Sequence, residues 1–156
     1  MSRLPLQRAA LDALVQSPIH LDALISEDGD SFVFEKRVTM GDPGVRDQRV
    51  TPQWPHHLPG ELVIGLTGQA GTIALRRKGV IAHGWRGHGV RIRDARFSKP
   101  VLVGETVLVR TEVLRVRRIG TSIHATFRFR MWKRGENDAE IETYRSEQDA
   151  IFFPGD

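Results

Sequence analysis

The chain of 156 residues has no cysteine. That removes disulfides, thiolate nucleophiles and cysteine-ligated zinc together. Aromatic residues are scarce, at 7% with a single tyrosine, so the ring stacking used by readers of single-stranded nucleic acid is thin. No apolar run approaches the roughly 18 residues that a membrane-spanning helix needs. The start, Met1-Ser2-Arg3-Leu4-Pro5, lacks the apolar core and cleavage site of a signal peptide, and a cytoplasmic protein without membrane partners is expected. A Gly-x-Ser-x-Gly nucleophile elbow is missing. Gly84, Gly87 and Gly89 are not followed by a helical pattern, which argues against a dinucleotide fingerprint. His83, His88 and His124 lack metal-ligand spacing, so neither metal nor cofactor is expected.

The rest is ordinary for one globular domain spanning residues 1–156: 40% hydrophobic and 27% charged, and long enough to bury a core without staples. The net charge is +4, with 23 Lys and Arg. Arg91, Arg93, Arg96, Arg115, Arg117, Arg118, Arg128 and Arg130 recur in strand-like segments. They fit a phosphate-facing rim, a nucleic-acid surface or simply the solvated face of a sheet, and nucleic acid is the least expected of the three.

Hydrophobic spacing over Pro5 to Gln16 predicts a first helix, stopped by Pro18. Residues 19–30 are mixed and end in a turn at Glu27-Asp28-Gly29-Asp30. Phe32 to Thr39 reads as a strand, and Gly41-Asp42-Pro43-Gly44 as a loop. Residues 60–78 form the central helix, carrying Leu62, Leu66, Ala70, Ile73 and Ala74 at three- and four-residue steps and ending in Arg76-Arg77-Lys78-Gly79, cations followed by glycine. Gly65, Gly68 and Gly71 each cost about 1 kcal/mol against alanine, and their spacing predicts close approach of another backbone. Strands follow at 89–97, 106–118, 122–132 and 140–153, with a hairpin turn at 134–138. In Ser122 to Trp132, Ile123, Ala125, Phe127, Phe129 and Met131 share one face, the period of a half-buried antiparallel strand.

The most chemical stretch is His56-His57-Leu58-Pro59-Gly60-Glu61, running straight into the apolar helix. A helix N-terminus offers unbonded N–H groups and partial positive charge. His57-Leu58-Pro59-Gly60 is similar to the His-Phe-Pro-Gly turn of the hydroxyacyl-ACP dehydratases. Ala95-Arg96-Phe97-Ser98-Lys99-Pro100-Val101, with Val103-Gly104-Glu105-Thr106-Val107, resembles that family's strand-turn-strand signature. The resemblance implies the α+β hotdog fold: a curved antiparallel sheet wrapped around one central helix. It also implies an acyl-CoA or acyl carrier protein thioester as substrate, and a homodimer or higher homo-oligomer with sites between subunits.

One departure matters. Those dehydratases pair the motif histidine with a carboxylate on the central helix. Here Gly65-Leu66-Thr67-Gly68-Gln69-Ala70-Gly71 holds no acid. An acyl-CoA thioesterase group of the same superfamily is also similar, with His, Glu and a helical Gln in comparable order. Dehydration needs a protonated donor near the hydroxyl, whereas hydrolysis needs one base, a held water and N–H donors for the oxyanion. The residues fit hydrolysis slightly better than 3-hydroxyacyl-thioester dehydration or non-catalytic acyl-thioester binding. The candidates are His57, Glu61 and Gln69 for catalysis, and Gly60, Gly65, Thr67 and Gly68 for substrate binding. Each also has an ordinary alternative: turn residue, first-turn acid, buried hydrogen-bonder, helix packing.

Overall fold

A computed structural model describes residues 4–15 and 19–155. Its elements are β1 (Leu6–Gln7), α1 (Arg8–Asp12), β2 (Ala23–Asp28), β3 (Ser31–Arg37), α2 (Gly60–Arg77), β4 (Arg86–Phe97), β5 (Thr106–Ile119), β6 (Ser122–Arg134) and β7 (Glu140–Phe153). The strands make one seven-stranded sheet in the order β1-β2-β3-β5-β6-β7-β4, with antiparallel pairing throughout. Register shifts interrupt the β2–β3, β4–β7, β5–β6 and β6–β7 ladders. Such bulges bend a strand and increase its twist, which curls the sheet around α2.

The alternation in β6 is realised. Ile123, Ala125, Phe127, Phe129 and Met131 are all buried and form one core cluster with Leu62, Leu66, Ala70, Ile73 and Ala74 of α2. The opposite face carries cross-strand ion pairs. Arg128 bonds Glu147 at 3.0 Å, Arg130 bonds Glu140 at 3.2 Å, and Arg93 pairs with Asp149 and, at 3.7 Å, with Glu147. The Arg93 guanidinium, helped by the Thr126 hydroxyl, holds the Asp149 carboxyl below its ordinary value. Arg110 and Arg130 sit over the Trp132 ring, each 5.2 Å from its centre. Arg93, Arg128 and Arg130 of the arginine-rich strands are therefore partnered by acids on the sheet's outer face.

Three expectations need correction. The first helix shrinks to Arg8–Asp12 because Leu6 pairs with Leu24 as strand instead; its predicted stop at Pro18 lies outside the described residues. A strand, β2, occupies part of the mixed segment, and its hairpin turns at Gly29, whose φ is +59°. Within the chain, the glycines of α2 are not approached by another backbone. A Cβ on Gly71 would meet the Phe127 ring at 3.2 Å, while Gly65 and Gly68 have nothing within 4 Å.

The end of α2 follows its sequence signal. Gly79 takes φ +70°, its N–H bonds the Arg76 carbonyl at 3.0 Å, and the Val80 N–H bonds the Leu75 carbonyl at 2.9 Å. That pair of bonds is the Schellman motif. Gly79→Ala should cost about 1–2 kcal/mol for a left-handed non-glycine residue, read as a lower denaturant midpoint at unchanged m-value. No helix among the described residues is long and apolar enough to cross a membrane.

Candidate active site

The two sequence stretches that carry the resemblance lie side by side. The Leu58 N–H bonds the Val101 carbonyl at 2.8 Å, and the Val103 N–H bonds the His56 carbonyl at 3.2 Å. Leu58 and Val101 are both buried. The turn behind them is clamped from within. The Glu105 carboxylate accepts the Leu102 N–H at 2.9 Å and the Lys133 ammonium at 2.7 Å, and Gly104 takes φ +91°. His56 anchors the loop from the other side, its Nδ1 lying 2.8 Å from the Val45 carbonyl.

The His57 imidazole is partly buried, with Nδ1 2.8 Å from the Pro55 carbonyl. A carbonyl only accepts, so Nδ1 carries a proton, and in the neutral ring the lone pair then lies on Nε2. The His57 backbone N–H is held by Gln48 Oε1 at 2.9 Å. These bonds fix the ring in the tautomer a general base requires.

Pro59 is the N-cap of α2 and supplies no side-chain cap. The first α2 N–H bonded to a carbonyl is that of Val63, to Pro59 at 3.1 Å, which leaves the N–H groups before it to donate to an anionic oxygen. Gly60 and Glu61 are exposed there. His57 and Gly60 border a hollow of about 360 Å³ with Phe97 and Tyr144, and both, with Glu61 and Phe97, border a wider depression outside it.

The remaining candidates lie farther along. Gly65, Thr67, Gly68 and Gln69 line a cavity of about 590 Å³ between α2 and the sheet, walled by Phe127 and Phe129. Thr67 is fully buried; its hydroxyl donates to the Ile64 carbonyl at 2.8 Å and accepts from Gln148 Nε2 at 2.9 Å. Gln148 belongs to a buried polar group with Tyr144 and Ser146, whose hydroxyls are 2.8 Å apart. Gln69 Oε1 accepts the His20 N–H at 3.0 Å. Burial, and next the buried Lys36 cation, lower the His20 pKa from 6.5.

Gly60 and Gln69 are nine residues apart on one helix, about 14 Å at 1.5 Å per residue. The candidates thus fall into two groups within a chain: His57, Gly60 and Glu61 at the helix mouth, and Gly65, Thr67, Gly68 and Gln69 at the cavity. Sequence reasoning missed His20 and Gln148 near the second group. It also read Arg76 only as a cation on the helix dipole, although Arg76 lines the cavity. Among the described residues, no three His, Asp or Glu side chains cluster to hold a metal.

No protein-family model matches the chain, and no curated protein does. Solved structures do. A dehydratase heterocomplex from Xenorhabdus doucetiae superimposes with a TM-score of 0.62 at 16% identity, over 96% of this chain and 91% of that one. A thioesterase from Haemophilus influenzae gives 0.57 at 16% identity, over 93% and 82%. A 4-hydroxybenzoyl CoA thioesterase mutant in complex with 4-hydroxybenzoyl CoA gives 0.55 at 14% identity, over 80% and 84%. The likeness is one of architecture, and it establishes the hotdog fold that the sequence resemblance implied.

Proposed function

We propose that the protein hydrolyses acyl thioesters, carried on coenzyme A or on an acyl carrier protein, at a site shared between two copies of the chain. The observation that carries this is His57: an imidazole oriented by its Nδ1–H bond to the Pro55 carbonyl, beside the mouth of a helix that lacks a side-chain cap. His57 takes a proton from water as the water attacks the thioester carbon. The first N–H groups of α2 receive the developing oxyanion. As the tetrahedral intermediate collapses to the carboxylic acid, the carbon–sulfur bond breaks and the His57 imidazolium returns its proton to the leaving sulfur. We assign the holding of the attacking water to Glu61, exposed in the first helical turn. Dehydration lacks its second group, because the cavity-facing stretch of α2 has no carboxylic acid and Gln69 is bonded to the His20 backbone. The dehydratase and the thioesterases among the similar structures make acyl thioesters the common theme.

What supports a shared site is β4. It ends the sheet with one unpaired edge, and Val90, Ile92 and Phe97 on it are 58%, 45% and 56% exposed. An open edge with apolar side chains is a template for pairing with another strand. Antiparallel pairing of two β4 strands about a two-fold axis near their middle sets Arg86–Gly89 of one chain beside Phe97 of the other. Residues 86–89 rim the cavity, and Phe97 rims the His57 hollow. The two groups separated within a chain then meet across the pair, with Gly65, Thr67, Gly68 and Gln69 lining the acyl chain's path.

The test is thiol release from acyl-CoAs of graded chain length, with hydration of crotonyl-CoA followed in parallel. Release of thiol without loss of the enoyl absorbance is the expected result. Hydration without release would replace this reading by the dehydratase, and binding with neither activity would replace it by a binding module.

A further inference from the structure

The loop that delivers His57, residues 38–59, has neither helix nor regular strand. Loops of that length inside a compact domain usually serve function. Its first half is built on turns three residues apart. The Asp42 N–H bonds the Thr39 carbonyl at 3.2 Å, the Val45 N–H the Asp42 carbonyl at 3.2 Å, and the Gln48 N–H the Val45 carbonyl at 3.4 Å. Burial follows the same step. Asp42 and Val45 are buried and Gln48 is half-buried, while Gly41, Pro43, Gly44, Arg46 and Asp47 are exposed.

Each residue of that series holds one neighbour. Asp42 Oδ1 accepts the Lys36 ammonium at 2.6 Å, and Oδ2 accepts the Thr39 N–H at 2.8 Å. The Val45 carbonyl accepts His56 Nδ1–H at 2.8 Å. Gln48 Oε1 accepts the His57 backbone N–H at 2.9 Å. Between them, Gly44 packs on the start of α2, where an added Cβ would come within 3.3 Å of the Pro59 ring. The root of the series is the sheet itself. Lys36 alternates with Phe32 and Phe34 along β3 and is, like them, buried.

A buried ion pair adds little stability over apolar residues of the same volume, because desolvation offsets the attraction. What it adds here is direction. The Asp42 carboxylate ties a sheet side chain and a loop N–H to one point, which an apolar contact does not do. From that point the turns run to both histidines.

We infer that Asp42 and Gln48 are positioning residues for His57. The Lys36–Asp42 pair roots the loop on β3, and Gln48 passes that position to the His57 backbone. The inference rests on His57 acting as the base in the reading above. A general base misplaced by a fraction of the reacting distance loses much of its rate, so the effect belongs in kcat and not in KM.

Two measurements test this. In the first, thiol release is followed on the alkaline plateau, where the imidazole is neutral in every variant. Gln48→Leu should lower kcat by about 10- to 100-fold with KM little changed, and Gln48→Glu, which keeps an acceptor oxygen, should recover most of the loss. Lys36→Met/Asp42→Leu removes both charges together, so neither is left unpaired in the core; it should melt near the parent and lose kcat by a similar factor. Adding Gln48→Leu to that double variant should cost little more, since both act along one path. A parental kcat in Gln48→Leu, a higher KM at unchanged kcat, or losses that multiply in the triple variant would overturn the inference. In the second, hydrogen exchange of the His57 backbone N–H is followed by NMR without substrate. Exchange should quicken about 2- to 10-fold in Gln48→Leu, the worth of one hydrogen bond, and in the Lys36→Met/Asp42→Leu variant, but not in Gln48→Glu. Unchanged exchange in Gln48→Leu and the double variant would overturn the anchoring. If the parent cleaves no thioester, hydrolysis fails as a reading, and the exchange measurement still decides whether Asp42 and Gln48 fix His57.

Discussion

His57→Ala is expected to lower kcat for thioester hydrolysis by about 10²- to 10⁴-fold, the range that a positioned general base contributes. The thermal midpoint should stay close to that of the parent. The His57 ring makes one bond in the structure, to the Pro55 carbonyl. The packing of the turn is carried by other groups: buried Leu58, its backbone bond to Val101, and the Glu105–Lys133 clamp. KM should change much less than kcat, because the proposed site holds the acyl chain in the cavity and not by the imidazole. A variant that melts normally and binds acyl-CoA but cleaves at the parental rate would remove His57 from the chemistry and point to Glu61 as the base. Steady-state kinetics with a melting curve on the same sample distinguishes these outcomes.

The second large effect comes from mixing two inactive proteins. Gly68 lines the cavity and has nothing within 4 Å of an added Cβ. Gly68→Phe should therefore fill the substrate path without straining α2, and replacing a helical glycine favours the helix. This variant keeps His57 but blocks its own cavity, whereas His57→Ala keeps the cavity but lacks the base. Each alone should be nearly inactive. Dissociated and reassociated together, they form mixed pairs in which one of the two sites joins an intact His57 to an intact cavity. Random assortment puts half of the pairs in mixed form, so about a quarter of the parental activity should return. A site contained within one chain predicts no recovery. Gel filtration of each variant before mixing confirms that both still self-associate.

The elements with one uninterrupted period were legible in the chain. The β6 face from Ile123 to Met131 and the α2 residues from Leu62 to Ala74 meet as expected, and Gly79 closes the helix where its sequence placed the stop. The strand β2 was hidden because its register shifts between Leu24 and Ser26, which breaks the alternation that identifies a strand. The first helix was over-read for the opposite reason. Leu6, Leu11 and Val15 do enter the core, but from a strand, a short helix and the segment after it, so apolar spacing survived without one continuous helix.

The candidate site divides along the same line. The nearness of the His57 turn to Val101–Val103 was implied by two local motifs. The imidazole tautomer depended on a carbonyl two residues back, and no spacing rule reveals that. The separation of Gln69 from the helix mouth at Gly60 could be counted from helix geometry alone. Arg76 was hidden by a sufficient explanation of another kind: a cation in the last turn of a helix needs no further purpose. Only the course of the chain around it, with Trp85 on one nitrogen and nothing on two others, separates it from Arg77.

The strand β4 serves two surfaces at once, since Arg86–Gly89 wall the cavity and the same strand's outer edge is unpaired. Gly87 joins these surfaces closely: a Cβ there would lie 2.5 Å from the Phe152 ring, which also faces the cavity. Where paired edges complete the site, occupancy and association become thermodynamically linked. Ligand then tightens the pair by the same factor that pairing tightens ligand, and affinity measured on dilute protein falls below that on concentrated protein.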